Sequence, residues 1–198
     1  MIDFSLLTPK QQKKYLHILN TTEEMIYEHG FYKMSLSQLT HRLNISRATI
    51  YEYFSSKEGL VEQVVYHISK RLDNTLYEIL ENNQLGSREK FHELAKTQTE
   101  NLDANCYKLL NDLKAHLPHL YKKFEEKRKE RERNGYTLLV HQGIKEGIFN
   151  QDFDKDFILQ LYLKMTQLLG NTDMLQHLRL NKREAMESIV NVFLKGTQ

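Results

Sequence analysis

At 198 residues, with 40% hydrophobic and 27% charged side chains, the chain has the composition of one large or two small globular domains and not of a disordered segment. A net charge of +2 gives no bulk argument for a nucleic-acid partner, although a local basic surface would suffice for one. The single cysteine, Cys106, excludes an intrachain disulfide and reads as a small buried hydrophobe. No apolar run approaches the roughly 18 residues of a membrane span, and Met1-Ile2-Asp3-Phe4 lacks a basic region followed by an apolar core, so a cytoplasmic protein without membrane contact is expected. Two prolines, eight glycines and no short alternating runs predict an all-α fold.

Residues 1 to 9 read as a loose arm ending at Thr8-Pro9, where Thr can cap and Pro can start a helix. The first helix runs to about His29, with Leu16, Leu19, Thr22 and Ile26 as its inner stripe and Gly30 as its stop. Lys10, Lys13 and Lys14 near its start could, with Arg42, Arg47 and Lys57 further on, supply phosphate contacts. The next stretch, Ser35 to Leu60, organises the rest. Leu36, Leu39 and Leu43 form one stripe of a short helix, and Asn44, which tolerates the left-handed conformation, closes it. Ile45 can fold back onto that stripe. Ser46 is a good N-cap for a second short helix, Arg47 to Phe54. Two short helices joined by a three-residue turn are a helix-turn-helix pattern.

On the second of these helices, Ile50 and Phe54 share the side that packs on Leu39, Leu43 and Ile45. Ala48, Thr49, Glu52 and Tyr53 are then expected to face outward, with Arg47 at the leading end and Tyr51 on the flank. An arginine there can donate two bonds to guanine, and a threonine can offer its methyl to thymine or its hydroxyl to a phosphate. Tyrosine hydroxyls, Lys57 and Arg42 suit phosphate contacts, which set register without reading sequence. Glu52 is read as variable surface.

From Ile18 to Leu60 the chain resembles the N-terminal domain of TetR-family transcriptional regulators. Ile18-Leu19, Met25-Ile26, Gly30-Phe31, Ser35, Leu39, Ile45-Ser46, Ile50-Tyr51, Tyr53-Phe54 and Lys57-Glu58-Gly59-Leu60 stand at that family's places without insertion or deletion. The match covers a little over a fifth of the chain. Its departures are mild: Thr21-Thr22 and Thr40 replace alanines, Asn44 the turn glycine, and Ala48 stands where glycine is common. The resemblance implies a helix-turn-helix DNA-binding domain over residues 1–56. It also implies a helical effector-binding and dimerisation domain over 57–198, about nine helices in all. The expected DNA-contacting set is Ser35, Ser37, Ser46, Arg47, Ala48, Thr49, Tyr51, Tyr53 and Lys57.

Ser55 or Ser56 caps a long fourth helix whose stripe runs Leu60, Val61, Val64, Val65, Ile68, Leu72, Leu76 and Ile79, ended by Asn82-Asn83 and Gly86-Ser87. A fifth helix starts at Ser87, a sixth runs from Asn105 to Leu117, and a seventh extends from Pro118 to about Gly147. The seventh's middle, Glu125 to Gly135, has no apolar side chain and reads as solvated, with opposite charges at helical spacing. An eighth helix, capped between Asp152 and Asp156, carries Phe157, Leu161 and Leu168. The last starts near Lys182 and carries Met186, Ile189, Val190 and Phe193. Both stripes are wide, as the four-helix dimer interface implied by the resemblance would need.

Searches for chemistry return nothing. His116-x-x-His119 spans a proline and has no further ligand nearby, so no metal is expected. There is no phosphate-binding glycine loop and no nucleophile elbow, so neither a cofactor nor catalysis is expected. The leading reading is a homodimeric regulator on a near-palindromic double-stranded operator, by resemblance a repressor released by a small, mostly apolar effector. Tyr107, His116, Tyr136, Tyr162 and Met165 are the candidate effector contacts. The alternative is a co-activator or interaction module of the same fold that recruits a partner protein instead of a ligand.

Overall fold

The computed structural model describes residues 4–101, 104–170 and 172–197, with side chains at all of these except 101, 104–107, 170 and 172. The fold is all-α, with no strand among the described residues. Ten α-helices follow in order: α1 Pro9–His29, α2 Leu36–Leu43, α3 Arg47–Phe54, α4 Lys57–Glu81, α5 Ser87–Asn101, α6 Ala104–His116, α7 Pro118–Lys145, α8 Lys155–Gln167, α9 Thr172–Leu178 and α10 Lys182–Gly196. Short 3-10 turns at Phe4–Leu6 and Leu168–Gly170 complete the set. The helix beyond the expected nine is α9. It buries Leu175 but carries no stripe, and it ends at Arg179, which adopts a left-handed φ of 54°.

The helices form two compact units. The first comprises Met1–Leu72 and Ala104–Lys127, and thus takes in α1 to α3, the start of α4, α6 and the start of α7. Its core joins Ile18, Leu19 and Ile26 of α1, Leu39 of α2, Ile50 and Phe54 of α3, Leu60, Val61 and Val64 of α4, and Leu113 and Leu120 from the later segment. The unit extends past the helix-turn-helix boundary expected at residue 56, because the inner faces of α4 and α6 complete this core.

Several polar contacts fix the unit. Glu23, on α1 and almost wholly buried, pairs with Arg71 of α4 at 2.6 Å. A buried carboxylate keeps its charge only with such a partner, so the pair fixes how α1 crosses α4. Lys108 of α6 donates to the Tyr27 and Glu28 carbonyls at 3.3 and 2.8 Å, placing a cation on the last turn of α1. Gly30 stops α1 with φ 83°. A Cβ there would also displace the Asp112 carboxylate, 2.5 Å away, but it is the positive φ that calls for glycine.

The second unit comprises Asp73–Asp103 and Arg128–Gln198. Five rings fill its centre: Phe91 of α5, Tyr136 of α7, Phe149, Tyr162 of α8 and Phe193 of α10, with Phe91 5.2–5.9 Å from each of the other four. The start of α5 is held from afar. Ser87 donates its backbone N–H and its hydroxyl to Glu146 at 2.8 and 2.7 Å. Buried Lys90 donates to the Leu80 carbonyl at 2.7 Å and to Gln142 at 3.1 Å. Hydrogen bonds from Ser87 hold the Glu146 carboxyl below its usual range against the opposing effect of burial. The charged middle of α7 is less solvated than its composition implies. Arg131 is mostly covered and pairs with Asp73 at 2.9 Å, while Arg128 reaches Glu132 at 2.7 Å.

Candidate nucleic-acid interface

The helix-turn-helix is built from local caps. Ser35 accepts from the Gln38 N–H at 3.1 Å, and Gln38 returns its side-chain oxygen to the Ser35 N–H at 3.2 Å, closing a capping box on α2. Asn44 ends α2 in the left-handed region, φ 52° and ψ 47°. The chain then turns so that the Ile45 N–H donates back to Thr40 at 3.0 Å, with Ile45 packed against the core. Ser46 caps α3 by accepting from the Thr49 N–H at 3.1 Å. Ser56 holds the start of α4 by accepting from the Gly59 N–H at 2.9 Å. A Cβ at Gly59 would lie 2.3 Å from the Phe54 carbonyl oxygen, so glycine lets α4 leave α3 at a sharp angle.

This scaffold turns one face of α3 outward. Arg47, Ala48, Tyr51 and Glu52 are exposed and Thr49 is half-buried. The Arg47 guanidinium donates to the Ser37 hydroxyl. Ser37, Thr40, His41, Asn44, Ile45, Ser46 and Arg47 surround an open depression of about 480 Å³ at the turn between the two helices. Its rim carries hydroxyls, an amide and a guanidinium, the donor set that phosphate oxygens and base edges accept from.

Three expected contacts are placed otherwise. Tyr53 faces inward at 5% exposure, with its ring 6.0 Å from both Tyr15 and Phe54. It stands three residues after Ile50 and therefore shares the inner stripe. Burial, with Glu52 adding, pushes its hydroxyl above the usual tyrosine value. Arg42 is committed to acids, bonding Glu28 at 3.0 Å and Glu24 at 2.8 Å, so it ties α2 to α1 rather than offering a spare charge. Lys57 lies 4.8 Å over the Phe31 ring and donates to the Tyr32 carbonyl at 3.4 Å. Partial burial lowers its pKa from the ordinary lysine value.

The expected effector residues are not brought together. Tyr136 and Tyr162 are fully buried in the second unit, where the Tyr162 hydroxyl donates to that of Tyr136 at 3.3 Å. Met165 packs at the edge of that core. His116 belongs to the first unit, exposed, its ring stacked 4.3 Å from that of Tyr32. The side chain of Tyr107, like that of Cys106, lies outside the described residues. What sequence reasoning missed is a cleft in the first unit between α4 and α7, about 250 Å³, lined by Glu62, Gln63, Val65, Tyr66, Ser69, Leu120, Lys123, Phe124 and Lys127. The half-polar stripe at residues 62, 66 and 69 of α4 was its signal.

The expected interface residues divide by helix. Phe157 and Leu161 of α8, with Leu168 just after it, are 60%, 36% and 45% exposed, on one stripe. Met186, Ile189, Val190 and Phe193 of α10 are buried in their own unit's core, because the wide stripe of α10 packs on α5 and α8. Val192, at 63% exposure, is the apolar residue α10 leaves outside. No group of three metal-ligating side chains occurs among the described residues, and no helix there is long and apolar enough to cross a membrane.

Comparisons with known proteins agree with this geometry. The family model for bacterial regulatory proteins of the tetR family matches residues 18–64. An uncharacterised HTH-type transcriptional regulator of Bacillus subtilis (strain 168), YvaF, is 27% identical over 180 residues, covering 90% of this chain and 93% of that one. The fold is similar to that of the Escherichia coli protein NemR in its reduced form, with a TM-score of 0.70 at 17% identity over 93% of this chain and 97% of that one. It is also similar to that of the transcriptional regulator FadR from Bacillus subtilis in complex with stearoyl-CoA, with a TM-score of 0.69 at 18% identity over 93% and 100%. YvaF and FadR are both named as transcriptional regulators.

Proposed function

We propose that the chain is a TetR-family bacterial transcriptional regulator, as its match over residues 18–64 supports, and that it works as a homodimeric repressor whose α3 helices read a near-palindromic operator until a small ligand releases them. The observation that carries this reading is the outer face of α3. A capped, well-packed helix presents Arg47, Ala48, Thr49 and Tyr51 beside the Ser37 and Ser46 hydroxyls, with apolar residues confined to its other side. The functional boundary at residue 56, between a reading head and a helical remainder, belongs to this proposal.

Two such heads on a two-fold axis would enter major grooves about 34–36 Å apart, one helical turn of DNA. The stripe of Phe157, Leu161 and Leu168, together with exposed Val192 on α10, supports a dimer, since exposed apolar surface of this kind is what a subunit interface removes from water. Release by a ligand is supported by the stearoyl-CoA complex of FadR, and it requires only that the ligand favour a form that binds DNA less well.

Selection of random duplex DNA by the purified protein, sequenced across a salt series, tests the reading. An enriched inverted repeat is the expected result. Weak binding without enrichment, equal for all sequences, would remove it.

A further inference from the structure

The cleft between α4 and α7 carries a chemistry that nothing in the reading head uses. On α4 it is lined by Glu62, Val65, Tyr66 and Ser69, and on α7 by Leu120, Lys123, Phe124 and Lys127. In each helix these positions follow i, i+3 or i+4, i+7 spacing, so two single faces oppose one another. Val65, Leu120 and Phe124 are 4%, 4% and 8% exposed and form an apolar wall, and half-exposed Tyr66 covers one side. The mouth is cationic. Lys123 bonds Glu62 at 2.9 Å across the cleft, and Lys127 stands one turn further along α7 on the same face. The volume of about 250 Å³ lies just below the usual range of about 300–1,000 Å³ for small-molecule sites, which limits the occupant to a small one.

We infer that this cleft binds a small apolar carboxylic acid, its hydrocarbon part against Val65, Leu120 and Phe124 and its carboxylate between Lys123 and Lys127. The sign of the charge follows from the mouth. An uncharged apolar molecule would leave both ammonium groups without gain, and a cation would be repelled by them. An acid adds a second anion to share Lys123 with Glu62 and gives Lys127 a charge-assisted hydrogen bond. Residues 60 to 68 of α4 line the cleft on one side and carry Leu60, Val61, Val64 and Ile68 of the head core on the other. An occupant therefore bears on the helix that begins directly after the reading helix. The inference rests on the proposed function only where it makes this acid the releasing ligand; binding itself does not depend on it.

The test is calorimetric titration of the full-length protein, without DNA, with octanoate and with octan-1-ol. Octanoate should bind, octan-1-ol about tenfold more weakly, and Lys127→Gln should lower the octanoate affinity about tenfold while leaving that of the alcohol unchanged. Lys127 is exposed, so this variant keeps the fold, and circular dichroism checks that it does. No octanoate binding at millimolar concentration, or equal affinity for acid and alcohol in both proteins, would overturn the inference. Repeating the titration against operator-bound protein separates the two ideas. Octanoate that binds without weakening DNA binding leaves the site standing and removes it as the effector site.

Discussion

The helix-turn-helix of the first compact unit and the centre of the second differ in how far apart in sequence their defining contacts lie. In the first, each device of the reading head is local: Ser35 with Gln38, Ser46 with Thr49 and Ser56 with Gly59 are all three residues apart. In the second, α5 starts on Glu146, 59 residues away, and four rings from four other segments meet around Phe91. The caps of the reading head thus follow short-range rules and leave a polar face open, while the unit around them is still tied over long separations by Glu23–Arg71 and by Lys108 on the last turn of α1. The second is ordered by packing between segments far apart in the chain. Function and stability should respond to different residues accordingly.

The largest effect expected is at the centre of the second unit. Phe91→Ala removes a ring with no exposed surface and should cost about 3–5 kcal/mol in urea unfolding, the usual penalty for emptying such a site. A loss below about 1 kcal/mol would mean that the five rings do not act as one core.

The tyrosine pair sharpens the same point through pH. Burial is the largest cause pushing both Tyr136 and Tyr162 upward, so both hydroxyls stay neutral in the folded state well beyond pH 10. In the unfolded chain each titrates near 10. Folding therefore raises these pKa values, and the stability they contribute is complete below pH 10 and is lost as pH rises above it, by up to about 1.4 kcal/mol per pH unit for each tyrosine. Tyr162→Phe should make that fall shallower by about one tyrosine's share, read from urea midpoints taken at successive alkaline pH values.

In the first unit the separation should reverse. Arg47→Ala is expected to weaken operator binding by about 1–3 kcal/mol and to relax preference at one base pair. The urea midpoint should stay within about 0.5 kcal/mol of the parent, since the side chain is exposed. A large stability loss with unchanged DNA affinity would break the comparison outright.

What could be read in advance follows this division. The caps, the left-handed Asn44 and the inner positions of Ile50 and Phe54 were legible because each depends on neighbours within four residues. Tyr53 was misassigned where two stripes compete: three residues from Ile50 it belongs inside, and only the ring of Tyr15, 38 positions earlier in the chain, decides it. Arg42 looked free because its partners, Glu24 and Glu28, sit on another helix. The wide apolar stripe of α10 gave no sign of whether its own unit or a second copy would cover Met186, Ile189, Val190 and Phe193. Helix α9 had too few apolar positions to show a period.

Asn44 offers the finest division between local conformation and DNA contact. Its left-handed backbone costs an ordinary side chain about 1 kcal/mol, so Asn44→Ala should lose about that much stability, whereas Asn44→Gly should be neutral or gain a few tenths. The amide also lines the depression beside Ser46 and Arg47. If that surface meets phosphates, the glycine variant keeps the fold and still binds operator more weakly, by the roughly 1 kcal/mol of one lost hydrogen bond. Equal DNA affinity in the glycine variant and the parent would confine Asn44 to shaping the turn, and would move the phosphate contacts at this edge to the Ser37 and Ser46 hydroxyls.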